Sequence, residues 1–180
     1  MKTKYTSHQR LVFTTLAAVL AALTFVVIYF TAVPIPGIGI FHVGDFFIYI
    51  AAALLPLPYA MAVGIVGAGM TNVLNPMLLL FAPFTVVIKS LNCLPFNSKN
   101  SKILTKRNII ALFVSGAITI VGYFFARWVV MGIAEESFVV GFGHAVRGIL
   151  INAMQATGSA ILFLIISFVL DKANIKRSLY

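Results

Sequence analysis

The sequence predicts an all-α fold: a polytopic membrane bundle of six transmembrane helices with both termini cytoplasmic, forming one integral membrane domain over 1–180. Three observations predict it. The 180 residues are 61% hydrophobic and only 9% charged, with a mean hydropathy of +1.06. A soluble domain carries about 25% charged residues. Too few polar side chains exist to cover a water-facing surface, so the solvent is lipid. The apolar residues also fall into six runs separated by short turns. Finally, ten of the 13 basic residues sit in three patches beside those runs: Lys2, Lys4 and Arg10; Lys99, Lys102, Lys106 and Arg107; Lys172, Lys176 and Arg177. In a six-span chain all three patches share one side, and the positive-inside bias makes that side cytoplasmic.

The same placement removes a nucleic-acid reading of the +9 net charge, because the cations flank apolar runs as lipid anchors instead of forming a stripe. The lone Cys93 forms no internal disulfide, and no Cys/His cluster has metal-ligand spacing.

Span one runs from Val12 to Phe30, too long and too late in its aromatic end to be a cleaved signal peptide. It carries small residues four apart, Ala17 with Ala21 and Ala18 with Ala22. Such stripes let backbones approach closely in lipid, either within the chain or against another membrane subunit. Thr31 to His42 follows, with Pro34, Pro36, Gly37 and Gly39 breaking the helix while the segment stays apolar. An apolar, structured loop of this kind suits a plug over something. Gly44-Asp45 opens span two, which Pro56-Leu57-Pro58 closes. Tyr59 to Leu74, with Gly64, Gly67 and Gly69, is span three, and the two short segments form a tight hairpin. Span four is Met77 to Phe96, and Asn97 to Asn108 is a hydrated loop. Span five is Ile109 to Ile133, Ala134 to Arg147 is a loop bearing Glu135, Glu136 and His144, and span six is Gly148 to Leu170.

No G-x-x-x-x-G-K-[ST] loop is present, so the chain does not bind ATP in the P-loop manner. No H-E-x-x-H or G-x-S-x-G appears, and no nucleophile–base set is visible, so the chain is not read as an enzyme. The chemistry lies in polar groups inside the spans, each of which must be satisfied in lipid. Arg127, with Tyr123 one turn below it and Trp128 beside it, suits a polar aromatic ligand, or else snorkels outward as part of an interfacial belt. Asn152, Gln155 and Ser159 recur at helical spacing on one face of span six, either for a ligand or for interhelical hydrogen bonding. Lys89 either snorkels to the cytoplasm or faces inward. Asp45 suits a helix N-terminus. Asn72 belongs to the turn after span three, and His42 and His144, on outer loops, suit surface or loop packing more than ligand contact.

Taken in order, these features resemble the S components of energy-coupling factor (ECF) vitamin transporters. The resemblance rests on the alanine stripe, the apolar first loop, Phe41-His42-Val43-Gly44-Asp45 opening span two and the glycine-rich third span. Ala82-Pro83-Phe84-Thr85-Val86-Val87-Ile88-Lys89 and Asn152-x-x-Gln155-x-x-Gly158 complete it, over nearly the whole chain. It looks closest to the branch carrying riboflavin, pantothenate, folate, hydroxymethylpyrimidine or pyridoxine. The resemblance implies a multi-pass protein of a prokaryotic cell membrane that captures a vitamin at the outer face. Delivery inward would use a transmembrane coupling subunit and two ATPases, with ATP consumed by those partners and no cofactor held here. It implies docking through Ala17 and Ala21, or Ala18 and Ala22, and binding by Tyr123, Arg127, Trp128, Asn152 and Gln155, then by His42, Asp45, Asn72, Lys89 and His144. With one clear cation in the outer half of the spans, the expected substrate is pyridoxine or hydroxymethylpyrimidine, then riboflavin. The competing readings are a membrane scaffold or assembly protein and a self-sufficient secondary transporter.

Overall fold

The computed structural model describes residues 5–36 and 38–179; Lys2, Lys4 and Gly37 lie outside them. Among the described residues, six principal helices follow in sequence order, with a short 3₁₀ turn at Ile175–Ser178 after the last. Helix α1 (Ser7–Thr31) starts at a reciprocal cap, in which Thr6 Oγ1 accepts from the Gln9 amide and Gln9 Oε1 accepts from the Thr6 amide. That arrangement satisfies two of the amides that every helix start leaves free.

The apolar first loop is a β-hairpin, a departure from an all-α chain. Strand β1 (Val33–Ile35) pairs antiparallel with β2 (Gly39–Phe41), Pro34 facing Ile40. Proline and glycine do break the helix as expected, but a two-strand ladder then takes up the backbone polar groups. Gly39 has φ +147°, a conformation open to glycine and closed to most side chains.

Helix α2 (Asp45–Leu54) buries nine of its ten residues. A helix apolar on every face belongs in the centre of a bundle, and its Tyr49 ring stacks on Phe96 at 5.4 Å, with Phe96 edge-on to Phe163 at 5.7 Å. Helix α3 spans Leu57–Leu74, interrupted by a π turn at Gly64–Ala68. Helix α4 (Leu79–Leu91) begins with a 3₁₀ turn. Helices α5 (Lys106–Ala134) and α6 (Phe138–Lys172) form a long antiparallel pair. Among the described residues, α1, α3, α5 and α6 are long and apolar enough to cross a membrane, while α2 and α4 are shorter.

Two boundaries correct the sequence reading. The expected loop Ala134 to Arg147 is mostly helix: α6 starts at Phe138, and three residues, 135–137, make the turn. Ser137 caps α6 by accepting from the Val140 amide, and Glu136 turns the chain with φ +50°. Gly141 reads as a loop residue yet serves close packing, since a Cβ there would come within 2.7 Å of the Trp128 carbonyl oxygen.

The segment Asn97 to Asn108 is exposed over 99–102, as a hydrated loop should be, and it is also tied down. Asp171 at the end of α6 accepts from the amides of Ile103 and Leu104 at 2.7 and 2.8 Å. Asn108 donates to the carbonyls of Ile103 and Asn97. Lys176 donates to the Lys102 carbonyl at 3.2 Å, and burial pulls its ammonium down to about 8 against the opposing charge of Asp171.

Candidate functional site: a polar cleft under the hairpin

Six side chains from four parts of the chain meet in one narrow cleft. His42 follows the hairpin, Asn72 comes from the end of α3, Tyr123 and Arg127 from α5, and Asn152 and Gln155 from α6. Ile28, Ala32, Ile40, Leu78 and Phe81 supply the apolar walls. The helical spacing explains half of this: residues three or four apart share a face, so Tyr123 with Arg127 and Asn152 with Gln155 each present a pair. The α5–α6 packing turns the two pairs toward each other. The cavity in the cleft is small, about 60 Å³.

Arg127 does not snorkel away. Its Nη1 donates to the Ile38 carbonyl in the hairpin turn, which ties the first loop to α5. Glycines make the room: a Cβ at Gly39 would strike the guanidinium, and one at Gly148 would come within 2.9 Å of Arg127 Nε. A methyl group on either side would displace the cation.

Below the cleft lies a fully buried ion pair. Lys89 Nζ and Asp45 Oδ2 are 2.7 Å apart and neither side chain is exposed. Gln155 Nε2 donates to the same oxygen at 3.1 Å, and Lys89 Nζ sits 5.1 Å from the Tyr123 ring centre. A second chain of hydrogen bonds runs beside it: Asn72 Nδ2 donates to Thr85 Oγ1 at 2.7 Å, and Thr85 Oγ1 lies 3.0 Å from Tyr123 Oη. Ser159 Oγ donates to the Val43 carbonyl, pinning the segment between hairpin and α2 to α6. Three buried polar atoms facing this region, His42 Nδ1, Arg127 Nε and Asn152 Nδ2, have no hydrogen-bond partner among the described residues. Buried polar groups are nearly always paired, so their concentration around one cleft calls for a guest.

Several sequence expectations end elsewhere. Lys89 reaches inward to Asp45 and not toward the cytoplasm, because a carboxylate in the same dry interior holds it more strongly than the lipid edge. Asp45 sits in the first turn of α2 but makes no side-chain cap; its Oδ2 serves both Lys89 and Gln155, and its Oδ1 is buried without a partner among the described residues. Trp128 does not line the cleft. Its indole N–H donates to the Phe138 carbonyl at 3.0 Å, and its ring packs edge-on to Phe142 at 5.7 Å, on the next face of α5. His144 lies in a separate outer depression with Val139, Val140, Gly143 and Arg147, because α6 begins so early that His144 falls on helix. Thr85, in an otherwise apolar stretch and four residues before Lys89, is the residue of this candidate site that the sequence reading did not single out: it joins Asn72 to Tyr123, and that spacing was its signal.

A second surface feature lies on α1. A broad apolar groove is lined by Thr14, Ala18, Ala22 and Phe25 on α1 and by Tyr59, Ala62, Val66 and Met70 on α3, with Ala17 and Ala21 at its base. Ala17 and Ala21 are each only 7% exposed because they serve packing within the chain. A Cβ at Gly67 would come within 2.8 Å of the Ala21 carbonyl oxygen, so α1 and the π turn of α3 are at closest approach there. Ala18 and Ala22 are the exposed pair.

Comparison with known proteins gives this arrangement its context. A solved structure described as showing the structure and mechanism of the S component of a bacterial ECF transporter superimposes with a TM-score of 0.66 at 19% identity, covering 93% of this chain and 98% of the other. The two chains thus share a fold. No curated protein sequence matches the chain. A family model described as "ECF-type riboflavin transporter, S component" matches residues 9–172, nearly the entire length. The protein is therefore a transport subunit and not an enzyme, and it belongs to the family of ECF-type riboflavin transporter S components.

Proposed function

We propose that the chain captures a hydroxylated heteroaromatic vitamin in the cleft beneath the hairpin and hands it inward with a membrane coupling subunit and two ATPases. The observation that carries this reading is the convergence of His42, Asn72, Tyr123, Arg127, Asn152 and Gln155 on one apolar-walled cleft where three buried polar atoms lack partners. Few polar groups placed within an apolar cavity are what orient a small ligand. The family description names riboflavin, and a flavin leads on that ground. The smaller rings, pyridoxine and hydroxymethylpyrimidine, are the second reading, favoured by the narrowness of the cleft with Arg127 drawn onto the hairpin. Asp45 and Lys89 support the floor, while Trp128 and His144 take no part.

The exposed Ala18 and Ala22, in the groove shared with α3, are the docking pair for the coupling subunit. Ala17 and Ala21 hold α1 against α3. In the cell membrane all six helices lie at membrane depth, the short α2 and α4 within the bundle, and both termini face the cytoplasm.

Mass spectrometry of the small molecule that co-purifies from cells, followed by ATP-dependent uptake with the coupling module present, tests the proposal. A flavin, pyridoxine or hydroxymethylpyrimidine bound one to one supports it. Absence of any tightly held vitamin, with no binding on titration of that panel, refutes it.

A further inference from the structure

The buried ion pair does more than fill the floor of the cleft. Lys89 Nζ and Gln155 Nε2 both donate to one oxygen, Asp45 Oδ2. Paired with the Lys89 ammonium at 2.7 Å, Asp45 is a carboxylate, and its oxygens only accept. Side-chain amides ordinarily turn end for end to suit their surroundings. Gln155 is not free to do so, because turning it would set its carbonyl oxygen against the carboxylate. Its NH₂ group stays on Asp45, and Oε1, the other end of the amide, is the end left for a ligand. Gln155 is 2% exposed, so a ligand that covers Oε1 displaces little water from it. Asn152, three residues earlier and 6% exposed, has no such anchor and adapts. Arg127 across the cleft offers donors only.

From this geometry we propose that Asp45, itself held by Lys89, is a positioning residue that fixes Gln155 as an acceptor. The cleft thereby selects a nitrogen heterocycle that presents an N–H donor beside a carbonyl or ring-nitrogen acceptor. The N–H meets Gln155 Oε1, and the acceptor turns toward Asn152 and Arg127. The inference rests on the vitamin-capture reading and narrows it to rings with a lactam-like or aminopyrimidine edge. A ring lacking that N–H leaves a buried carbonyl oxygen unpaired, a penalty that outweighs the loss of one ordinary contact.

The test is calorimetric titration of the full chain in detergent with matched ligand pairs: riboflavin against 3-methylriboflavin, and hydroxymethylpyrimidine against its N,N-dimethylamino derivative. The wild type should prefer the N–H member of the pair it binds by roughly 10- to 100-fold. In Asp45→Asn the neighbour both donates and accepts, so Gln155 is released and the ratio should fall toward one. Gln155→Met keeps the ion pair and should lose the preference while melting close to wild type, which covers the case of an Asp45 variant that does not fold. A structural role alone would lower affinity for both members and leave their ratio unchanged. Equal affinities in the wild type, or an undiminished ratio in Gln155→Met, would overturn the inference. Binding of pyridoxine alone would overturn it while leaving vitamin capture intact, and binding of no vitamin would remove both.

Discussion

At the scale of single residues, the cleft depends on where each long side chain ends. Arg127 reaches the hairpin carbonyl and its Nε faces the cleft unpaired, so Arg127→Ala should weaken vitamin binding by about 1.5–3 kcal/mol, the range for a hydrogen bond to a charged group. Titration calorimetry reads it directly, and unchanged affinity in a folded variant would return Arg127 to a purely structural tie. Trp128→Phe should leave affinity unaltered, since its indole serves the α5–α6 turn. Lys89→Met strands Asp45 at zero exposure. Breaking one side of a buried pair costs about 3–5 kcal/mol, so thermal unfolding in detergent should show a large drop. The double change Lys89→Met with Asp45→Leu should recover much of it. The polar residues Tyr123, Arg127, Asn152 and Gln155 were legible in the sequence because charge and amide groups are conspicuous in apolar spans. Their neighbours were less so: Trp128 is beside Arg127 in sequence but about 100° around the helix, and the Lys89–Asp45 pair joins positions 44 residues apart that no local pattern connects.

At the scale of elements, glycine decides how closely helices approach. The π turn of α3 sits against α1 and α4 at once: a Cβ at Gly67 would come within 2.7 Å of Thr24 Cβ, and one at Gly64 within 3.1 Å of the Lys89 backbone oxygen. Gly67→Val should therefore separate α1 from α3 and lower the melting temperature. The two alanine pairs separate by the same physics. Ala21→Leu should destabilise the protein, because Ala21 is buried against the π turn. Ala22→Leu should leave folding and vitamin affinity near wild type yet abolish co-purification with the coupling subunit, and retained assembly would remove the docking role of the groove. The sequence carried the stripe but not its phase, since both pairs have identical spacing and only the path of α3 distinguishes them. It also carried the helix break after α1 without the hairpin. Three-residue strands are too short for an alternating pattern to register, and Gly141 and Gly143 disguised the first turns of α6 as loop.

At the scale of the whole molecule, hydropathy and charge made the bundle legible, because a chain this poor in polar groups has few alternatives to lipid. Helix lengths were harder. At 1.5 Å per residue, the ten residues of α2 span about 15 Å, half a bilayer core, while α6 with 35 residues extends well past it. Composition does not reveal such inequality, because lipid-facing and protein-facing helices use the same apolar residues. Topology is open to direct measurement. Cys93 is buried, so a cysteine introduced at Ser101 should react with a membrane-impermeant thiol reagent only from the cytoplasmic side, and one at Ser137 only from outside. Reaction of both from one side would break the proposed orientation.

The central claim is that one cleft, formed by the hairpin, α3, α5 and α6, holds the vitamin. The most direct measurement is equilibrium titration of purified protein with the co-purifying vitamin, comparing wild type, Asn152→Leu with Arg127→Ala, and Ala22→Leu. The account predicts nanomolar affinity, about −12 kcal/mol, for wild type and Ala22→Leu, and loss of at least two orders of magnitude in the cleft variant. Wild-type affinity in a folded cleft variant would contradict it.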